Sequence, residues 1–215
     1  MNTLLVAVAP IAGVAIFVAI LAVVIVAAVR TARKSRANLT RIAGELGLQL
    51  VEKPLVLGFF RPTPTVEGNR GGRMVRVFEF TTGTSKRKVL WSAVSVGCGN
   101  PHGFQLRLGP QNFLTELGEK FGLQDLSVGD PVFDRKFVVQ TNAPDYLRAA
   151  LLPEIRDPLL RLWPAPLAGA MLKIEGGAVV YAETLPFSEV QLLTRMKSML
   201  DVLVTLTALP EVYAA

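Results

Sequence analysis

The chain has 215 residues, a formal net charge of +6, one cysteine and one histidine. One cysteine excludes an internal disulfide, and one Cys with one His cannot supply the four ligands of a structural zinc site. Five of the 23 basic residues lie in residues 30–41, which hold no acidic residue, leaving 18 basic against 17 acidic residues elsewhere. The rest of the chain therefore lacks the basic excess of a nucleic-acid-binding domain, and no nucleic-acid partner is expected.

The first predicted element is a transmembrane helix over residues 4–29, a stretch without a charged side chain. About 20 apolar residues are enough to cross a hydrocarbon core of about 30 Å. A cleaved signal peptide would need a basic start and a shorter apolar run of about 7–15 residues, and this stretch has neither. Small residues at four-residue spacing, Ala9 with Gly13 and Ala15 with Ala19, make self-association of two spans possible.

A basic segment over residues 30–36 follows the span. Its cations are Arg30, Arg33, Lys34 and Arg36. Lys and Arg resist translocation, so the sequence predicts a short external tail over residues 1–3 and a cytoplasmic domain over residues 37–215. We expect the four cations to contact anionic headgroups at the inner membrane of a bacterium.

The first half of the domain is predicted to be rich in strands. A helix over residues 37–47 joins it to the span, because apolar residues recur at helical spacing up to Gly47. Prolines 54, 62 and 64 then favour an irregular segment. Strands are predicted over residues 73–80, 89–96 and 103–108. A helix opening at Pro110 would carry Phe113, Leu114, Leu117 and Phe121 inward.

The second half alternates between helices and strands. Residues 128–140 are interpreted as a turn followed by a strand, with Phe133, Phe137 and Val139 on one strand face. Residues 142–145 are typical of a helix cap, and prolines 153 and 158 predict two short helices or one kinked helix up to Trp163. Residues 171–181 form the clearest hairpin, with Gly176-Gly177 at its turn. Residues 188–191 fit a capping box that opens a helix with an apolar stripe. The stripe comprises Val190, Leu193, Met196, Leu200, Leu203 and Val204.

Together these elements predict an α+β fold: an N-terminal transmembrane helix, a mostly antiparallel sheet with packed helices, and a long C-terminal helix.

Two groups of residues could carry chemistry. Cys98 lies four residues from His102, but Gly99, Asn100 and Pro101 between them are what a tight turn requires. Three carboxylates, Asp125, Asp130 and Asp134, could offer oxygen ligands to a divalent metal, although turn and capping roles explain them as well. We therefore predict no catalytic residue, metal ligand or cofactor, and keep Asp130, Asp134 and His102 as the candidates for a site.

Residues 129–139 read G-D-x-x-F-D-x-x-F-x-V and are followed by leucine-rich helices, a hairpin and a closing helix. Over residues 120–209 this pattern resembles uncharacterised bacterial single-pass membrane proteins with a small α+β cytoplasmic domain, a domain of unknown function. The resemblance implies the fold and the membrane anchor, and it implies no activity.

The leading functional hypothesis is a membrane-anchored accessory or protein-interaction module, with the lipid bilayer and a protein as partners. One alternative is a membrane-tethered enzyme or metal-dependent site that uses Asp130, Asp134 and His102. Another is a domain that senses anionic lipids through the basic segment and two basic loops, residues 70–73 and 86–88.

Overall fold

The computed structural model describes residues 2–55, 62–83, 88–110, 124–164 and 169–214. An N-terminal helix, an antiparallel sheet and a long C-terminal helix make up a mixed α+β fold, as predicted. The predicted helix that opens at Pro110 falls on residues outside these ranges.

Helix α1 is continuous from Asn2 to Leu46. Two helices were predicted here, over residues 4–29 and 37–47, and the structure joins them into one. No Gly or Pro occurs in the connecting residues 30–36, so nothing in them interrupts the backbone hydrogen bonds. The helix ends at Leu46, and the next residue, Gly47, has a φ of +68°, the left-handed conformation typical of the residue after a helix. By length and composition the part of α1 from Ile16 to Leu46 could cross a membrane, and none of its apolar window is buried.

Nine strands of the described residues form one sheet in which every neighbouring pair is antiparallel. The strands are β1 (Gln49–Val51), β2 (Thr65–Arg70), β3 (Arg73–Thr82), β4 (Val89–Gly97), β5 (Leu106–Gly109), β6 (Gln124–Leu126), β7 (Val138–Thr141), β8 (Ala170–Glu175) and β9 (Ala178–Glu183). Their order across the sheet is β1-β2-β3-β4-β9-β8-β5-β7-β6. The predicted strands over residues 73–80 and 89–96 and the hairpin at Gly176-Gly177 are confirmed.

The other helices of the described residues are α2 (Pro131–Lys136), α3 (Pro144–Ala150), α4 (Pro153–Leu162), α5 (Val190–Leu206) and α6 (Ala208–Val212). Helix α5 packs on β4 and β9, and α1 packs on β1 and β2. The main core lies on this face of the sheet. A smaller apolar cluster that includes Trp91, Met171 and Val180 lies on the opposite face.

The prediction of one strand face for Phe133, Phe137 and Val139 is wrong. Phe133 lies in helix α2, and Phe137 is the residue that ends this helix. The two rings lie 4.8 Å apart because residues four apart share a helix face, and all three side chains are still buried. The Gly-Asp-Pro sequence that was interpreted as a turn therefore opens a helix before β7 begins.

The predicted capping residues of both helices are wrong, although each helix begins close to where it was expected and Asp145 lies in the first turn of α3. Ala143 and Glu189 occupy the cap positions of α3 and α5, without a capping side-chain hydrogen bond. Asn142 instead bonds to the backbone of Gly103 and Gln105. In the predicted stripe of α5, four residues are buried, while Val190 and Val204 are exposed.

Candidate functional site

The two candidate carboxylates stabilise the turn that opens α2. Asp130 accepts hydrogen bonds from the backbone amides of Val132 and Phe133, at 3.0 and 3.2 Å, and one of its oxygens lies 3.5 Å from Arg156 Nη1. These contacts are those of a helix cap, in which a carboxylate satisfies free amides at the positive end of the helix.

Asp134 binds the loop that precedes α2. It accepts hydrogen bonds from the Ser127 hydroxyl at 2.7 Å and from the backbone amides of Val128 and Gly129 at 2.9 and 3.0 Å. Burial alone would raise the pKa of Asp134, but these hydrogen bonds together outweigh burial and lower it. Within the described ranges, no group of three or more His, Cys, Asp or Glu side chains is placed to hold a metal ion.

Cys98 and His102 lie in the turn after β4. Asn100 holds this turn, since its side chain accepts a hydrogen bond from the Phe104 amide at 2.7 Å and donates one to the Phe104 carbonyl at 2.9 Å. The His102 ring packs edge-on against Tyr213, 6.4 Å between centroids. Burial and the nearby Glu211 raise the pKa of the Cys98 thiol, which opposes the thiolate that a nucleophile needs. This arrangement is that of a packed turn.

The most distinctive polar contacts lie where α1 enters the domain, a region we call the junction. Asn38 is buried, and its side-chain amide donates hydrogen bonds to the carbonyls of Phe187 and Ser188, at 2.9 and 3.2 Å. Two ion pairs flank it: Arg36 with Glu52, and Lys197 with Glu45 at 2.8 Å. The last turns of α1 are therefore fixed to the loop before α5 and to the chain after β1.

A buried ion pair joins β9 to α5. Glu183 is 2% exposed and accepts two hydrogen bonds from the Arg195 guanidinium, at 2.9 and 2.5 Å. Tyr181 donates a third hydrogen bond to Glu183 at 2.7 Å, and burial raises the pKa of Tyr181 far above its ordinary value. Ser92 lies opposite Glu183 in the sheet, and its hydroxyl oxygen is buried without a hydrogen-bond partner among the described residues.

Sequence reasoning missed both the Asn38 contacts and the Glu183 ion pair. Asn38 and Ser188 are 150 residues apart, so no local pattern could have paired them. The sequence did indicate that Glu183 is unusual, because it ends a strand whose other inward-facing residues, Val179 and Tyr181, are apolar or aromatic. A carboxylate on a core face has to be paired, and a basic residue on the following helix is the nearest source of a partner.

The fold is similar to that of a mycobacterial transport factor. The solved structure is the trehalose monomycolate transport factor A, TtfA, with a TM-score of 0.55 and 12% sequence identity, and the match covers 86% of this chain and 96% of that one. At this identity the likeness shows the fold alone. No family model and no curated protein matches the chain.

Two open grooves border α5. The groove between α4 and α5 has a volume of about 300 Å³ and includes Glu154, Arg161 and Asp201 in its lining. The groove between α1 and α5 has a volume of about 240 Å³ and lies beside the junction, with Arg41, Val190 and Lys197 in its lining. Both grooves are lined by a mixture of charged and apolar groups at the surface of the domain.

Proposed function

We propose that this chain is a single-pass accessory protein of a bacterial inner membrane, whose domain binds a protein partner at the cytoplasmic surface. The observation that carries this proposal is the unbroken helix α1. It contains the apolar span, and its last turns place Leu39, Ile42 and Ala43 in the main core. A domain joined to its span without a linker is held at a fixed height above the bilayer. That geometry suits recognition of another membrane protein.

The basic residues after the span support a cytoplasmic location for the domain. Arg30, Arg33 and Lys34 are exposed on α1 immediately beyond the apolar stretch, where the positive-inside rule applies most strongly. The mycobacterial protein that shares this fold is a transport factor, and on that analogy of fold we extend the proposal to an accessory role in membrane transport. A single span supplies no substrate site between helices of its own chain, so the proposed role is to assist a transport protein.

Protease protection tests the orientation of the full-length chain. An epitope added after Ala215 should resist protease in right-side-out spheroplasts and be digested in inverted vesicles. The reverse result would contradict the proposed orientation.

Photo-crosslinking in living cells tests the partner. We expect a photoreactive amino acid at Val190 or Thr194, beside the groove between α1 and α5, to give one discrete adduct with a membrane protein. Met74 is also exposed but lies on the face of the sheet opposite the main core, and it serves as the matched control position. The absence of adducts at Val190, at Thr194 and at exposed positions of the groove between α4 and α5 would contradict a protein-binding role.

A further inference from the structure

Helix α1 determines which end of the domain faces the bilayer. The apolar stretch ends at Val29, and Asn38 lies nine residues further along an unbroken helix, or about 14 Å at a rise of 1.5 Å per residue. Asn38 binds the loop after β9, and Arg36 binds Glu52, just beyond β1. These loops and the start of β4 therefore form the bilayer-facing end of the domain, comprising residues 52–55, 88–90 and 184–189.

Three of the four exposed leucines that the structure describes beyond α1 lie at the bilayer-facing end, whereas the fourth, Leu152, lies between α3 and α4. Leu55 and Leu90 are each 49% exposed, and Leu185 is 38% exposed. Ser92 and Glu183 are the last pair of the β4–β9 ladder at this end. Leu90 is the second residue of β4 and Leu185 lies two residues after β9, so both lie at this end of the ladder. Leu55 lies three residues beyond Glu52, the partner of Arg36. Transfer of apolar surface out of water is favourable, so leucines this exposed beside a bilayer would be stabilised by entering it.

Basic side chains accompany these leucines. Lys53 and Lys88 belong to the bilayer-facing end, and Arg30, Arg33 and Lys34 lie between it and the span. The carboxylate of Glu52 pairs with Arg36, and Glu183 is buried against Arg195, so neither offsets these cations. Glu189 is an exposed acidic residue at this end. Leucines flanked by cations match the composition that inserts at the boundary between headgroups and acyl chains.

The basic hairpin over residues 70–73 does not belong to this end. The strand pairing places Arg70 and Arg73 at the tip of β2 and β3, beyond Gln49 and Glu67 and thus towards the C-terminal end of α1. Arg73 is also paired with Glu211 on α6, and Arg70 lies 3.8 Å from Asp201 on α5. This hairpin is therefore remote from the bilayer.

We propose that the bilayer-facing end is a second membrane contact, at which Leu55, Leu90 and Leu185 enter the interface of an anionic membrane. The inference rests on the anchor proposed above, because α1 brings this end to the lipid. Contact at a second place would fix the tilt of the domain, which a single helix alone leaves free. The partner of this surface is thus the lipid itself.

Spin labels on the full-length chain in vesicles of phosphatidylcholine and phosphatidylglycerol test this contact. In a Cys98→Ala background, single cysteines at residues 55, 90 and 185 would each carry a nitroxide, with unlabelled variants checked for unchanged thermal unfolding. Oxygen partitions into lipid, whereas a charged or polar nickel complex stays in water. We expect all three labels to shift towards accessibility to oxygen and away from nickel. Vesicles of phosphatidylcholine alone should weaken this shift, because the basic side chains then lose their anionic partners.

Two further labels separate the possible outcomes. A label at Val24 reports the span, and a label at Val212 reports an exposed position on α6, near the remote hairpin. If residues 55, 90 and 185 behave like Val212 while Val24 lies in lipid, the second contact is overturned and the anchor stands. A water-accessible label at Val24 would overturn the anchor and, with it, the inference. A second variant, Leu90→Asp with Leu185→Asp, should return a label at residue 55 to water, whereas Met74→Asp should leave it in lipid.

Discussion

The ion pair between Glu183 and Arg195 is buried, so breaking it should cost more than losing a surface contact. Arg195→Met leaves the Glu183 carboxylate in the core without its cationic partner, and we expect this change to lower the free energy of unfolding by about 3–5 kcal/mol. The double variant Glu183→Gln with Arg195→Met removes both charges and should be more stable than Arg195→Met alone. Chemical denaturation in detergent, followed by tryptophan fluorescence, measures the free energy of unfolding of both variants. Equal losses in the two variants would contradict the assigned pairing.

Asp134 makes stability depend on pH in a direction that its contacts determine. Its pKa in the folded chain lies below the ordinary value of 3.8, because three hydrogen bonds favour the charged form over the effect of burial. The stabilisation is therefore complete above pH 3.8 and is lost as the pH falls through the lower folded value. We expect Asp134→Asn to lose less stability than the wild type when the pH is lowered into this range.

The control for Asp134 is Asp125→Asn. Asp125 is exposed and accepts a hydrogen bond from Gln140 at 3.0 Å. This variant should follow the pH dependence of the wild type. If Asp134→Asn also followed it, the hydrogen bonds to Ser127, Val128 and Gly129 would not be setting the pKa.

Among the elements, α1 depends on Asn38 for its attachment to the loop before α5. Asn38→Ala leaves the carbonyls of Phe187 and Ser188 without their donor, and an unsatisfied buried polar group costs about 1–3 kcal/mol. We expect a loss of this size in the free energy of unfolding of the domain. Thr40→Ala is the matched control, because its exposed hydroxyl donates a hydrogen bond to the Arg36 carbonyl of the same helix. A loss for Thr40→Ala as large as that for Asn38→Ala would contradict a special role of Asn38.

Local sequence patterns predicted some elements well and misassigned others for a physical reason. Gly176 and Gly177 are adjacent residues that adopt positive φ at a two-residue turn. The hairpin could therefore be predicted from residues that are neighbours in the sequence. Ser188 has the residue type of a helix cap, but it is buried, and its carbonyl accepts a hydrogen bond from Asn38. The residue type of Asp130 suits a turn or a helix cap equally well. In the structure Asp130 caps α2, and the helix places Phe133 in the core.

At the scale of the whole molecule, the long apolar helix and the fold class followed from composition and periodicity, whereas the proposed bilayer-facing end did not. Leu55, Leu90 and Leu185 come from three separate parts of the chain, and each resembles an ordinary core residue when its neighbours alone are considered. Only the strand pairing and the junction contacts bring them to one end. The same holds for the candidate site: Asp130, Asp134 and His102 were identified by residue type, while their actual contacts depended on the fold.

The continuity of α1 leads to a prediction about the whole molecule. If the helix is rigid through residues 30–36, spin labels at Phe17 in the span and Met74 in the domain should give one narrow distance distribution. Inserting Gly-Ser-Gly-Ser after Ala32 should broaden this distribution, because glycine and serine form a flexible linker. Pulsed dipolar spectroscopy on the Cys98→Ala chain in vesicles measures the distance distribution with and without the insertion. Dilution with unlabelled chain removes intermolecular pairs.

The same four residues inserted between Gly71 and Gly72 provide the control. That insertion lengthens a hairpin tip remote from the junction, so the distance distribution should stay narrow. A wild-type distribution as broad as that of the insertion after Ala32 would mean that the domain moves freely on its anchor. The span could then no longer determine which end of the domain meets the bilayer. A narrow distribution would instead mean that the helix sets the height of the domain and the end that faces the bilayer.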